Sequence, residues 1–252
     1  MGKFLRYDHP VITSMVQGKS ADRVIELIKK SNAQGADAFG IQTCKLPEEE
    51  RNIETYRRIF AAAEGKPTYV TNYRIGENRH TSLDDDKIGE HIVEIARAGA
   101  TLCDVMGDIY GKDPDELSTD PIAINKQKKL IERIHAEGAE VLMSSHALKY
   151  LPTERVLEIA NAQIDRGADI VKIVTYANSE EEQVENLKTS LALKRELSKP
   201  FLFLAGGECN IQRRLGPMFG ACMWLCVSEH DEMATPVQPL IEQVKKVWEN
   251  IK

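Results

Sequence analysis

The sequence predicts a (β/α)8 barrel, and three observations carry that expectation. Eight short apolar runs alternate with amphipathic helical patterns along 252 residues, an order shared by barrels and doubly wound sheets. The phrase "GAD" or a near relative recurs, as Gly35-Ala36-Asp37, Gly99-Ala100-Thr101, Gly138-Ala139-Glu140 and Gly167-Ala168-Asp169. Each copy follows a helical pattern and precedes an apolar run, where a glycine just past the helix end lets the chain turn back into a strand. No G-x-G-x-x-G or Walker sequence follows any strand, which ranks the open doubly wound sheet second.

The strands read, in order, as VITSMV from Val11, DAFGIQT from Asp37, PTYVTNY from Pro67, TLCDVM from Thr101, EVLMSS from Glu140, DIVKIV from Asp169, FLFLA from Phe201 and ACMWLCV from Ala221. Between them, ADRVIELIKKSNAQ sets Val24, Ile25, Leu27 and Ile28 on one helical face, and IGEHIVEIARA does the same with Ile88, Ile92, Val93 and Ile95. A last helix, PLIEQVKKVWENI, closes the pattern. No linker or low-complexity stretch interrupts it, so one domain over residues 1–252 is expected.

Composition narrows the function classes. Apolar residues make up 42% and charged residues 29%, with a net charge of −6, which gives no reason to expect nucleic acid or an anionic membrane as partner. No stretch approaches the roughly 18 apolar residues of a membrane span. MGKFLRYDHP lacks the apolar run of a signal peptide, and the myristoylation pattern at Gly2 fails at Arg6. The expectation is a cytoplasmic protein. Its five cysteines, Cys44, Cys103, Cys209, Cys222 and Cys226, form no C-x-x-C pair and read as reduced thiols.

In a barrel, chemistry sits at the C-terminal ends of the strands. There the sequence offers Gln42 and Lys45 after strand 2, and Tyr73, Arg74, Glu77 and His80 after strand 3. Asp104, Asp108 and Tyr110 follow strand 4, and Ser144, Ser145, His146 and Lys149 strand 5. Gly206, Gly207, Glu208, Asn210 and Arg213 follow strand 7, and Ser228 to Glu232 strand 8. Lys172 stands apart, because it lies inside an apolar strand. A lysine there is paired, snorkels outward, or has a lowered pKa that lets its amine attack a carbonyl and form an imine. An imine withdraws electrons from the neighbouring carbon, so a base must then remove the α-proton. His146, ending the adjacent strand, is the candidate base.

These segments resemble the type I 3-dehydroquinate dehydratases, which are Schiff-base (β/α)8 barrels. VLMSSHALKYLPT is similar to the family's S-x-H-x-x-x-x-P segment through Ser144, His146 and Pro152, the proline falling one place late. GADIVKI is similar to the motif around the imine-forming lysine and lands on Lys172. PVITSMVQGKSADRVIELIKKSNAQGAD resembles the opening strand and helix. NIQRRLGPMFGA resembles the segment bearing the arginine that binds the substrate carboxylate, here Arg213.

The resemblance implies that Lys172 forms an imine with a ring ketone and that His146 serves as base and acid. It also implies an acidic partner for this histidine after strand 3, for which Glu77 in YRIGEN is the candidate. Arg74, Gln42, Ser144 and Glu232, the last near the position of a family glutamine, join Arg213 as substrate-binding candidates. The chain departs from the family at the end of strand 2, where Gly40-Ile41-Gln42 replaces E-W-R. A carboxylate and a guanidinium that would hold substrate hydroxyls are absent, and Gly40 is expected to leave open volume for another keto acid.

The leading expectation is therefore a lyase that forms a Schiff base with a small-molecule keto acid, needing no cofactor and no metal. Two expectations about its specificity stand, an altered substrate or a divergent dehydroquinase with compensating contacts, and a homodimer is left open. Three alternatives stand beside it. Gly206-Gly207 after strand 7 suggests a class I aldolase gripping a sugar phosphate on backbone N–H groups. Asp104, Asp108, Glu77, His80 and His230 suggest a metal-dependent lyase, without a specific ligand spacing. The last is a non-catalytic binding barrel.

Overall fold

The computed structural model describes residues 2–74 and 85–251. Its elements alternate as the sequence predicts: β1 (Val11–Val16), α1 (Ala21–Ala33), β2 (Ala38–Gln42), α2 (Ile53–Ala61), β3 (Thr68–Thr71), α3 (Asp85–Arg97), β4 (Leu102–Met106) and α4 (Pro121–Ala136) form the first half. The second half is β5 (Glu140–His146), α5 (Thr153–Asp165), β6 (Ile170–Tyr176), α6 (Glu180–Glu196), β7 (Phe201–Gly206), α7 (Ile211–Leu215), β8 (Met223–Cys226) and α8 (Ile241–Ile251). This is the (β/α)8 class. Each "GAD"-type glycine adopts the left-handed conformation, with φ of 85° at Gly35, 110° at Gly99, 89° at Gly138 and 107° at Gly167. That conformation is what stops each helix and returns the chain to a strand. Helix starts are capped locally: Ser20, Asn52 and Ser179 each accept a hydrogen bond from the backbone N–H three residues on.

The chain divides into two compact units, each discontinuous in sequence. The first comprises Met1–Asp104, Arg133–Glu140 and Leu225–Lys252; the second comprises Val105–Glu132 and Val141–Trp224. In the first, β1, β2 and β3 pair in parallel. Their register sets Met15 opposite Gly40, and Gly40 opposite Tyr69. The helical faces read from sequence are buried, with Val24, Leu27 and Ile28 of α1 and Ile88, Ile92, Val93 and Ile95 of α3 inside and Ile25 half-buried. In the second, β5, β6 and β7 pair in parallel. Val156, Ile159 and Ala160 of α5 pack against Val171 and Ile173 of β6, with Leu193, Phe201 and Phe203. Each large aliphatic side chain buried there contributes about 1.5–3 kcal/mol.

Among the described residues, no helix is long and apolar enough to cross a membrane. All five cysteines are free, and burial pushes the Cys103 and Cys226 thiols well up, which makes them poor nucleophiles.

Candidate active site

Strand alternation fixes the direction of Lys172. Val171 and Ile173 belong to the apolar cluster beneath α5, so Lys172 between them projects from the opposite face of β6. Its cross-strand partner on β5 is Ser144, and His146, two residues on, shares that face about 6.6 Å further along the strand. Lys172 is only 4% exposed and Ser144 fully buried. The sequence-predicted lysine, serine and histidine thus occupy one face of two adjacent strands.

His146 has a carboxylate partner that the sequence reading missed. Glu116, from the segment between β4 and α4, places Oε2 2.6 Å from His146 Nδ1 and accepts the His146 backbone N–H at 2.8 Å. Glu116 is 6% exposed and sits at a φ of 49°, a conformation uncommon for a residue with a side chain. An ionised carboxylate can only accept, so with Glu116 ionised the Nδ1 of His146 carries the proton. Glu77, the residue expected in this role, lies outside the described residues, as does His80. The signal that could have found Glu116 is its neighbour: Leu117 is apolar in a polar stretch and is buried in the cluster beneath α5, so this segment folds inward.

Arg213, on α7, is the second electrostatic feature of this unit. Among the described residues, its Nε and Nη1 are buried without hydrogen-bond partners. Burial holds its pKa below the ordinary guanidinium range, offset in part by Tyr176. A buried guanidinium without an anion is costly, and a carboxylate or phosphate would satisfy it in bidentate fashion.

The glycines after β7 fit the plainer of their two readings. A Cβ on Gly207, whose φ is 85°, would lie 2.6 Å from the Ala177 carbonyl oxygen, and one on Gly206 would lie 2.8 Å from the Tyr176 ring. The following N–H groups are engaged, Glu208 with Asn178 Oδ1 at 3.4 Å and Cys209 with Ala177 O at 2.9 Å. These glycines permit a close turn, and the Glu208 and Cys209 amides that follow are turned to Asn178 and Ala177.

The other unit holds the remaining candidates. Arg74 forks onto Asp85, with Nε to Oδ1 at 2.8 Å and Nη2 to Oδ2 at 2.7 Å. Gln42 ends β2, half-buried. Glu232 is largely exposed and pairs with Lys19 at 2.7 Å, beside a cleft of about 450 Å³ lined by Gln17, Ser20, Arg23 and Met233 among others. The Asp104 carboxylate accepts hydrogen bonds from the phenols of Tyr69 and Tyr73. Burial and the adjacent Asp104 push the Tyr69 phenol far up, so it remains a donor. His230 Nε2 meets the Gln238 carbonyl oxygen at 2.8 Å, an arrangement that makes this nitrogen a donor and removes it from metal ligation.

One expectation is overturned. Gly40 does not open a vacant space: a Cβ there would lie 2.2 Å from Met15 Sδ and 3.3 Å from the Tyr69 ring. The cross-strand register places these larger side chains on either side of the glycine, and they fill the volume that it leaves.

Known proteins match this chain. The family model described as type I 3-dehydroquinase matches residues 12–252. A 3-dehydroquinate dehydratase of Methanosarcina acetivorans is 25% identical over 237 residues, 92% of either chain. One from Klebsiella pneumoniae subsp. pneumoniae is 29% identical over 212 residues, 82% of this chain and 80% of that one. Among solved structures, the 3-dehydroquinate dehydratase from Geobacillus kaustophilus superposes with a TM-score of 0.81 at 20% identity, covering 97% of this chain and 91% of that one. The type I enzyme from Clostridium difficile, described with covalently modified comenic acid, gives a TM-score of 0.81 at 16% identity, covering 97% and 93%. The family match runs over nearly the whole chain: this protein belongs to the type I 3-dehydroquinase family, whose members are carbon–oxygen lyases that form a Schiff base.

Proposed function

We propose that this chain catalyses the dehydration of a ring ketone of the 3-dehydroquinate type through an imine on Lys172. The observation that carries the proposal is the shared strand face: Lys172 and Ser144 opposite one another, and His146 beyond them with Glu116 on Nδ1. The Lys172 amine attacks the substrate carbonyl, and loss of water from the resulting carbinolamine gives an iminium that acidifies the adjacent C–H. His146 Nε2 takes that proton and returns one to the departing hydroxyl, so one substrate yields one enone and one water, and hydrolysis of the imine restores the lysine. Glu116 keeps Nε2 as the reacting nitrogen and stabilises the imidazolium that forms between the two proton transfers. Arg213, with its unsatisfied guanidinium, receives the substrate carboxylate. Ser144, opposite Lys172 across the strands, is the hydrogen-bonding group assigned to the carbinolamine.

The aldolase alternative is disfavoured by the family match over residues 12–252. The test is turnover of 3-dehydroquinate, followed by the ultraviolet absorbance of its conjugated enone, in wild type, Lys172→Ala and His146→Ala. The first variant should be inactive, and the second should retain about a hundredth of the rate or less, the usual worth of a positioned base. Activity surviving intact in Lys172→Ala would refute the imine.

A further inference from the structure

We propose that Gln163 and Ser145 are positioning residues that hold the imine-forming lysine and the carboxylate partner of the base in one fixed register. This rests on the imine reading of Lys172 and His146. Gln163, on α5, is fully buried, and its amide is completely used. Oε1 accepts the Lys172 backbone N–H at 3.1 Å, while Nε2 donates to the Lys172 carbonyl at 3.2 Å and to Ser145 Oγ at 3.0 Å. Ser145 Oγ in turn donates to the Glu116 backbone carbonyl at 2.8 Å. A single side chain therefore clips the main chain of Lys172 and, through one hydroxyl, the main chain of the residue whose carboxylate meets His146.

The segment carrying Glu116 is seated against the same structure from its other side. Gly107 N–H donates to the Ser144 carbonyl at 2.7 Å, and a Cβ at Gly107 would lie 2.4 Å from the Glu116 oxygen and 2.9 Å from Ser145 Oγ. Only glycine allows that approach. Three residues past Gln163, just beyond the end of α5, buried Arg166 donates through Nη1 to the Gly107 carbonyl at 2.8 Å and through Nη2 to the Ser118 carbonyl at 2.6 Å. Both ends of the stretch that presents Glu116 are thus tied to the residue that caps α5.

Val156, Ile159 and Ala160 already bind α5 to β6, and the Gln163 amide satisfies the Lys172 backbone N–H and carbonyl, which an apolar side chain there would leave without these partners. Beyond that, it sets the strand height of Lys172 and the depth of Glu116 together, and a displacement of about 1 Å at a reacting group can cost a hundredfold in rate.

Ser145→Ala isolates the link, since it removes one hydroxyl from a fully buried position and leaves Gln163 on Lys172. We expect kcat for 3-dehydroquinate to fall about tenfold to a hundredfold with KM within about twofold, while borohydride still traps the adduct on Lys172. The acidic limb of the kcat/KM profile should move to lower pH, as it should in Glu116→Gln, because both weaken the carboxylate's hold on the imidazolium. The double variant Ser145→Ala/Glu116→Gln should be no slower than Glu116→Gln alone, because the hydroxyl acts only through that carboxylate. Gln163→Met should slow adduct formation as well as dehydration. An unchanged kcat and pH profile in Ser145→Ala, or losses that multiply in the double variant, would overturn the proposal while leaving the imine intact. A wild type that forms no adduct overturns both.

Discussion

Glu116 Oε2 accepts two hydrogen bonds from His146, from the backbone N–H at 2.8 Å and from Nδ1 at 2.6 Å. The same carboxylate oxygen thereby fixes where the histidine sits and, in the proposed mechanism, which of its nitrogens reacts. In a (β/α)8 barrel, loops after the strands are the variable part and strand residues the constant part. A base on β5 oriented by a residue ahead of α4 is an arrangement of that kind.

Glu116→Gln keeps the size of the side chain and removes its charge. We expect kcat to fall by roughly tenfold to a hundredfold, a share of the 10²–10⁴ that general acid–base catalysis supplies. Trapping of the imine should persist, because Lys172 does not depend on Glu116 for nucleophilicity. Turnover and adduct yield measured on the same samples separate the two steps; equal turnover in variant and wild type would remove Glu116 from the mechanism.

Arg213→Lys preserves a positive charge and loses the planar fork. If the unsatisfied Nε and Nη1 receive the substrate carboxylate, KM should rise about tenfold or more with a smaller change in kcat, since an ammonium cannot reproduce two parallel hydrogen bonds. Steady-state kinetics at saturating and limiting substrate give both values. A KM equal to that of wild type would place the anion elsewhere.

The packed layer of Met15, Gly40 and Tyr69 makes a stability prediction. Gly40→Glu drives its Cβ into Met15 Sδ and crowds the Tyr69 ring, so it should cost about 1–3 kcal/mol, the range for overpacking a core. Because the nearest atom is the flexible end of Met15, adding Met15→Ala should restore part of the loss. Urea denaturation of the single and double variants checks both statements.

The same layer bears on substrate choice. The resemblance at the end of strand 2 sets Gly40 and Gln42 of this chain where a carboxylate and a guanidinium are expected, and a site that lacks groups built for a substrate hydroxyl loses up to about 10⁴ in discrimination. We expect kcat/KM for 3-dehydroquinate to lie below about 10⁵ M⁻¹s⁻¹, an ordinary enzyme value. Gly40→Glu with Gln42→Arg should raise it only when Met15 is also shortened. A wild-type value at or above that figure would show that other groups hold the hydroxyls.

Much of this arrangement was legible in the sequence, and for a physical reason in each case. Strands buried on both faces leave apolar runs, and helix stops that need a left-handed residue leave glycines, so all eight strands and the four "GAD" turns could be read directly. Lys172 was conspicuous because a charge inside an apolar run is costly, and His146 because it ends the neighbouring strand. Glu116 was legible only indirectly, through the apolar Leu117 beside it. It reaches His146 through a positive φ and the close approach of Gly107, neither of which leaves a periodic pattern. Gly40 misled for a related reason: a small residue predicts a cavity only if its cross-strand neighbours are also small, and that depends on a register that places Met15 and Tyr69 beside it.

The most direct measurement is the mass of the peptide containing Lys172 after the wild-type protein is treated with 3-dehydroquinate and borohydride. Reduction of an imine to a secondary amine should add the carbon skeleton of substrate or product to the lysine, and fragmentation should place it on Lys172. An unmodified Lys172 in a sample that converts the ketone, or an adduct localised to another lysine, would contradict the imine mechanism.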